Sequence, residues 1–166
     1  MADPAGDASS PASTGADEAW HWRFGAELFN STWDLIDKAD RSAEDDAMML
    51  LGAMASRWHW STVGTAEQLA TGDWQVAHVF SLLGYGDVAL RFARRGLATA
   101  ESEGWDGWRL ASAHEGVARA CAAAGDAAGR AAHVAAAEAA LTREPDDEDR
   151  AAIASQLASI PPIGAG

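Results

Sequence analysis

Apolar residues recur along this chain at the three- and four-residue intervals of helices, in seven stretches separated by short polar or glycine-bearing breaks. The first stretch, from about Asp17 to Lys38, carries Phe24, Leu28 and Leu35 on one strip, with Phe29, Trp33 and Ile36 beside it. In the second, to about Thr62, Ala47, Leu51, Met54 and Trp58 follow the i, i+4, i+7, i+11 rhythm of a buried face, which places Trp58 in the core. On that register Trp58→Ala should cost about 3–5 kcal/mol. Ser42 with Asp45, and Thr65 with Gln68, have the three-residue spacing of capping boxes and open the second and third helices. The third ends at Gly84, and a tight Tyr85-Gly86-Asp87 break leads into a fourth that ends near Glu101. A fifth runs from about Asp106 to Ala124, and a sixth from Asp126 to Leu141. A short seventh is opened by Glu144-Pro145-Asp146-Asp147 and ends before Pro161. No stretch alternates with the period of two that a strand requires. The pattern predicts an all-α fold of stacked antiparallel helical hairpins in one domain, residues 17–160. Residues 1–16 read as a disordered leader and 161–166 as a flexible tail.

Composition narrows the function. Sixteen of the 31 residues from 111 to 141 are alanine, which favours helix and lets neighbouring backbones approach closely. The formal net charge is −13, from 25 acidic and 12 basic residues. Such a balance lacks the clustered cations that displace phosphate counterions, and it disfavours nucleic acid and anionic membranes as partners. Cys121 stands alone, so neither an internal disulfide nor a cysteine-based zinc site is available. No run nears the roughly 18 apolar residues of a membrane span. No basic-then-apolar signal pattern opens the chain, and a cytoplasmic location is expected. The eight tryptophans are the unusual feature, because Trp is a large, rigid residue used in cores and in binding pockets.

Two segments resemble the tetratricopeptide repeat, in which a large residue and then a small one precede a turn glycine, and alanines follow. In 74–97 the residues that carry the likeness are Trp74, Ala77, Phe80, Gly84, Ala89, Ala93 and Leu97. In 111–137 they are Glu115, Ala118, Cys121, Gly125, Val134 and Ala137, with Arg130 standing where the family has alanine. The turn glycines lie 125 − 84 = 41 residues apart, against about 34 in the family, and the Trp105-Asp106-Gly107-Trp108 loop takes up the difference. The resemblance implies a concave surface lined by Thr71, Trp74, His78, Ser81 and Leu82 from one unit and Ser112, Glu115 and Arg119 from the next. Arg57 and His59 would reach it from the end of the second helix.

The expected function is therefore non-catalytic binding of a peptide or protein segment in that groove. Arg119 would meet a carboxylate, Trp74 would stack, and His78 and Glu115 would set orientation. The alternative is a closed pocket for a small molecule, in which His59 or His78 forms an acid–base pair with Glu115. In a third arrangement, a homo-oligomer, exposed tryptophans cover one another across a twofold axis. Each feature also has a plainer reading. Glu115 and Arg119 form an i,i+4 pair worth about 0.3–0.5 kcal/mol if exposed, and Trp74 and His78 fit a packed interior. His114 and Glu115 are neighbours that point different ways, and no HExxH pattern is present, so no metal and no other cofactor is expected. Nor is there a G-x-S-x-G, phosphate-loop or GxGxxG motif. Pocket depth separates the readings: an open groove with Trp74 and Arg119 exposed favours a peptide.

Overall fold

The chain forms α1 (Pro11–Ile36), α2 (Ala43–Val63), α3 (Ala66–Leu82), α4 (Gly86–Ser102), α5 (Gly107–Ala123), α6 (Ala127–Leu141) and α7 (Asp147–Ala158). The computed structural model describes residues 11–163, and among them there is no strand. Consecutive helices pair as hairpins, α1 with α2, α3 with α4 and α5 with α6. The hairpins stack by contacts of α2 and α1 with α3, and of α3 and α4 with α5. The last helix lies against α5 and α6. No described helix is long and apolar enough to cross a membrane.

Local chemistry sets most of these boundaries. Asp45 accepts from the Ser42 backbone N–H at 2.8 Å while the Ser42 hydroxyl accepts from the Asp45 N–H, closing the box that opens α2. At α3, Gln68 accepts from the Thr65 N–H at 3.1 Å. Asp126 and Asp146 cap α6 and α7 by accepting backbone N–H groups of Gly129, and of Glu148 and Asp149. Gly84 and Gly125 take left-handed φ values of 80° and 75° just past α3 and α5. There the Tyr85 N–H donates to Phe80 O and the Asp126 N–H to Cys121 O, which uses carbonyls the ending helices leave free.

The interior is built from small residues. Ala77, Ala89, Ala93, Leu97, Val117, Ala120 and Cys121 form one cluster across α3, α4 and α5. Met49, Ala53, Val76 and Val79 form another between α2 and α3. Ion pairs tie the layers together as well. Buried Asp73 of α3 accepts from Arg57 Nε of α2 at 2.6 Å and from Arg95 Nε of α4 at 2.6 Å.

Two expectations are corrected. Residues 11–16, read from sequence as part of a disordered leader, are the opening turns of α1; residues 1–10 of that leader and 164–166 of the tail lie outside the described residues. The second correction is larger. The strip Ala47–Leu51–Met54–Trp58 faces outward, with Leu51 62% and Trp58 59% exposed. The face that packs carries Met49, Ala53, Ser56, His59 and Trp60 instead. Helix α2 is apolar on two sides, so periodicity alone cannot choose between them. The choice goes to the side whose small residues allow close approach, and its Ser56 hydroxyl is satisfied by donating to Gly25 O at 2.7 Å.

Candidate functional site

Helices α3 and α5 run side by side, and at their N-terminal ends they leave a cleft that α4 floors and α7 closes on one side. Its volume is about 360 Å³, within the range of small-molecule sites. Three indoles wall it: Trp74 from α3, Trp105 from the turn before α5, and Trp108 from the first turn of α5. Ala70, Ala93, Gly96 and Ala113 supply a smooth floor, while Thr71, Ser112 and Gln156 place polar groups along the wall. At the mouth, Arg109 donates to Glu67 at 3.2 Å and lies over the Trp108 ring, 4.9 Å from its centre. Both partners of that pair are half exposed.

The position of Trp108 is set from a distance. Glu144, buried in the α6–α7 turn, accepts the Trp108 backbone N–H at 2.8 Å and so caps the free end of α5. The Trp74 ring is fixed from below. Its Nε1 donates to Glu115 Oε2 at 2.7 Å, and it crosses α5 at Gly116, where a Cβ would come within 2.7 Å of Trp74 Cδ1. Glu115 is fully buried, and its other oxygen accepts from Arg119 Nε at 2.7 Å. Arg119 then donates through Nη2 to Gln156 O at 3.0 Å and Ser159 Oγ at 2.8 Å, binding α7 to α5. One buried ion pair thus positions both an indole and the helix that closes the cleft.

The sequence-predicted residues divide accordingly. Trp74, Thr71 and Ser112 line the cleft. Arg119, expected to meet a ligand carboxylate, is 4% exposed and bonded within the fold, and Glu115 beside it has both oxygens engaged. The predicted open groove with Arg119 exposed is therefore not what forms. His78 is buried against the rings of Trp33 and Trp74, with no hydrogen-bond partner at Nδ1. Burial, and secondarily the charges of Arg119 and Arg41, push its pKa down to about 3. Ser81 donates back to Ala77 O of its own helix.

Arg57 belongs to the Asp73 ion pair, and His59 pairs with His21 at 2.9 Å between α1 and α2. Burial and the neighbouring His21 lower the pKa of His59. The acid–base pairing of His59 or His78 with Glu115 does not form, since Glu115 is shared between Trp74 and Arg119.

Trp105, Trp108, Arg109, Glu67 and Gln156 were missed. The sequence had the fifth helix start near Asp106, as it does, but treated Trp105 to Trp108 only as an insertion between the two units and gave them no part in the site. With Gly107 as the first helical residue, Trp108 and Ser112 fall one turn apart, as Glu67 and Thr71 do on α3, so the two strips face each other. Among the described residues no three His, Cys, Asp or Glu side chains gather as a metal-ligand set. Comparison with known proteins finds no matching family model, no matching curated protein and no matching solved structure.

Proposed function

We propose that this chain is a binding module of tetratricopeptide-like hairpins whose ligand is a small molecule with a flat, mainly apolar body, seated between the indoles of Trp74, Trp105 and Trp108. The observation that carries the reading is the cleft itself: three indole walls around about 360 Å³, over a floor of alanine and glycine. An aromatic wall such as Trp74, held by its hydrogen bond to Glu115, loses little entropy on binding, so its contact area turns into affinity with small ordering costs. Thr71, Ser112 and Gln156 supply the few polar contacts that fix orientation in an otherwise apolar site. The repeat-like register is supported by the left-handed turn glycines Gly84 and Gly125 and by Ala89 and Ala93 packed at the hairpin contact.

The peptide-holding alternative keeps one supporting observation. Glu67 and Arg109 lie half exposed at the mouth, where the backbone of a chain inserting an aromatic side chain would pass. Native mass spectrometry of protein purified gently from its own cells, beside a Ser112→Phe variant that fills the cleft, tests the proposal. A small adduct on the wild type that is lost from the variant is expected. An adduct that persists in Ser112→Phe would place the ligand elsewhere, and a bound peptide would favour the alternative.

A further inference from the structure

The outward strip of α2 is an apolar feature that the described residues leave largely exposed. Ala47, Leu51, Met54 and Trp58 lie on one line of the helix, and no charged residue interrupts it. Met48, 51% exposed, flanks the strip. On α1, Trp20 is 52% exposed, and its neighbour His21 packs against the Trp58 ring at 5.4 Å, so the patch continues across the hairpin. A stack of helical hairpins ordinarily ends on a polar face, because the outer side of a terminal unit meets water. This end is apolar.

We infer that the α1–α2 face is the interface of a homodimer in which two copies of α2 pair antiparallel about a twofold axis. Three observations favour a second copy. The strip is self-complementary when reversed: centred between residues 52 and 53, it sets Ala47 against Trp58 of the second copy and Leu51 against Met54, large residues on small and medium on medium. The charge pattern selects the same direction. The acidic first turn of α2, Glu44, Asp45 and Asp46, then lies beside the uncharged last turn of the other copy, whereas parallel pairing would oppose the two acidic turns. The area is also adequate. An indole buries roughly 150–250 Å² when covered, so Trp20 and Trp58 offer on the order of 100 Å² each. With Met48, Leu51 and Met54 the patch reaches roughly 500 Å² per partner, about 1,000 Å² for the pair, which meets the lower bound of a specific interface.

Sedimentation equilibrium at about 100 µM, far above a micromolar Kd, should find a particle of twice the 17.3 kDa chain mass. Leu51→Lys and Met54→Glu should each sediment as monomers with unchanged helicity. An equimolar mixture of the two should recover the dimer, because the ammonium introduced on one copy then faces the carboxylate introduced on the other across the axis. A monomeric wild type overturns the inference, including one whose strip is covered by a different protein. So does a Leu51→Lys variant that stays dimeric. A mixture that remains monomeric overturns the antiparallel register.

Discussion

Replacing Arg119 with alanine tests whether the Glu115–Arg119 pair is part of the fold or part of a ligand site. Treated as a groove residue from sequence, Arg119 could be removed with little change in melting temperature. The structure predicts the opposite. The side chain is 4% exposed, and its loss leaves the fully buried Glu115 carboxylate with only the Trp74 N–H, while Ser159 Oγ loses its donor and Gln156 O loses one of three. Removing one partner of a buried, hydrogen-bonded ion pair costs about 3–5 kcal/mol. For a chain of this size each kcal/mol lowers Tm by roughly 2–4 °C, so a drop of roughly 6–20 °C is expected in thermal melts followed by circular dichroism. The double variant Glu115→Met/Arg119→Met should regain part of that loss, because it removes both charges and keeps the volume filled while Trp74 Nε1 and Ser159 Oγ lose their partners. A single variant that melts within about 2 °C of wild type would refute the reasoning, since it would mean that Glu115 is solvated in solution.

Two further outcomes follow from the packing and the buried histidine. In a monomeric Leu51→Lys background, Trp58→Ala should cost no more than about 1 kcal/mol in urea titrations, since it loses only the ring contacts with His21 and His59. Trp60→Ala on the packed face should cost about 3–5 kcal/mol. His78 stays neutral in the fold down to about pH 3, whereas in the unfolded chain it takes up a proton below about 6.5. Its contribution is therefore intact above pH 6.5 and is lost progressively as pH falls toward 3, at about 1.4 kcal/mol per pH unit. Between pH 6.5 and 5 a His78→Gln variant should lose about 2 kcal/mol less than wild type does. An identical pH slope in the two proteins would show that the imidazole is protonated in the fold.

Helix positions were legible from the sequence because caps and turn glycines act locally. Ser42 with Asp45, Gly84, Gly125 and Asp146 fix boundaries through contacts within a few residues. The face each helix buries is a tertiary choice, and α2 shows why it was not legible. Ala47–Leu51–Met54–Trp58 is the more hydrophobic strip, yet Ala53, Ser56 and the approach of α1 at Gly25 decide the packing. The site was half legible for the same reason. Trp74, Thr71 and Ser112 were among the residues that the repeat resemblance implied, and they line the cleft. Trp105 and Trp108 were not legible, although the helix start near Asp106 was, because what sets them beside Trp74 is tertiary: Glu144, 36 residues away, holds the Trp108 N–H. Arg119 was assigned outward because an i,i+4 pair looks the same in sequence whether water or α7 covers it.

The most direct test of the indole cleft is a nuclear magnetic resonance titration with free indole, following the Nε1–H signals of the eight tryptophans. Saturable shifts at Trp74, Trp105 and Trp108, abolished by Ser112→Phe, are the predicted result. Shifts centred on Trp20 and Trp58, or shifts unaffected by filling the cleft, would contradict it.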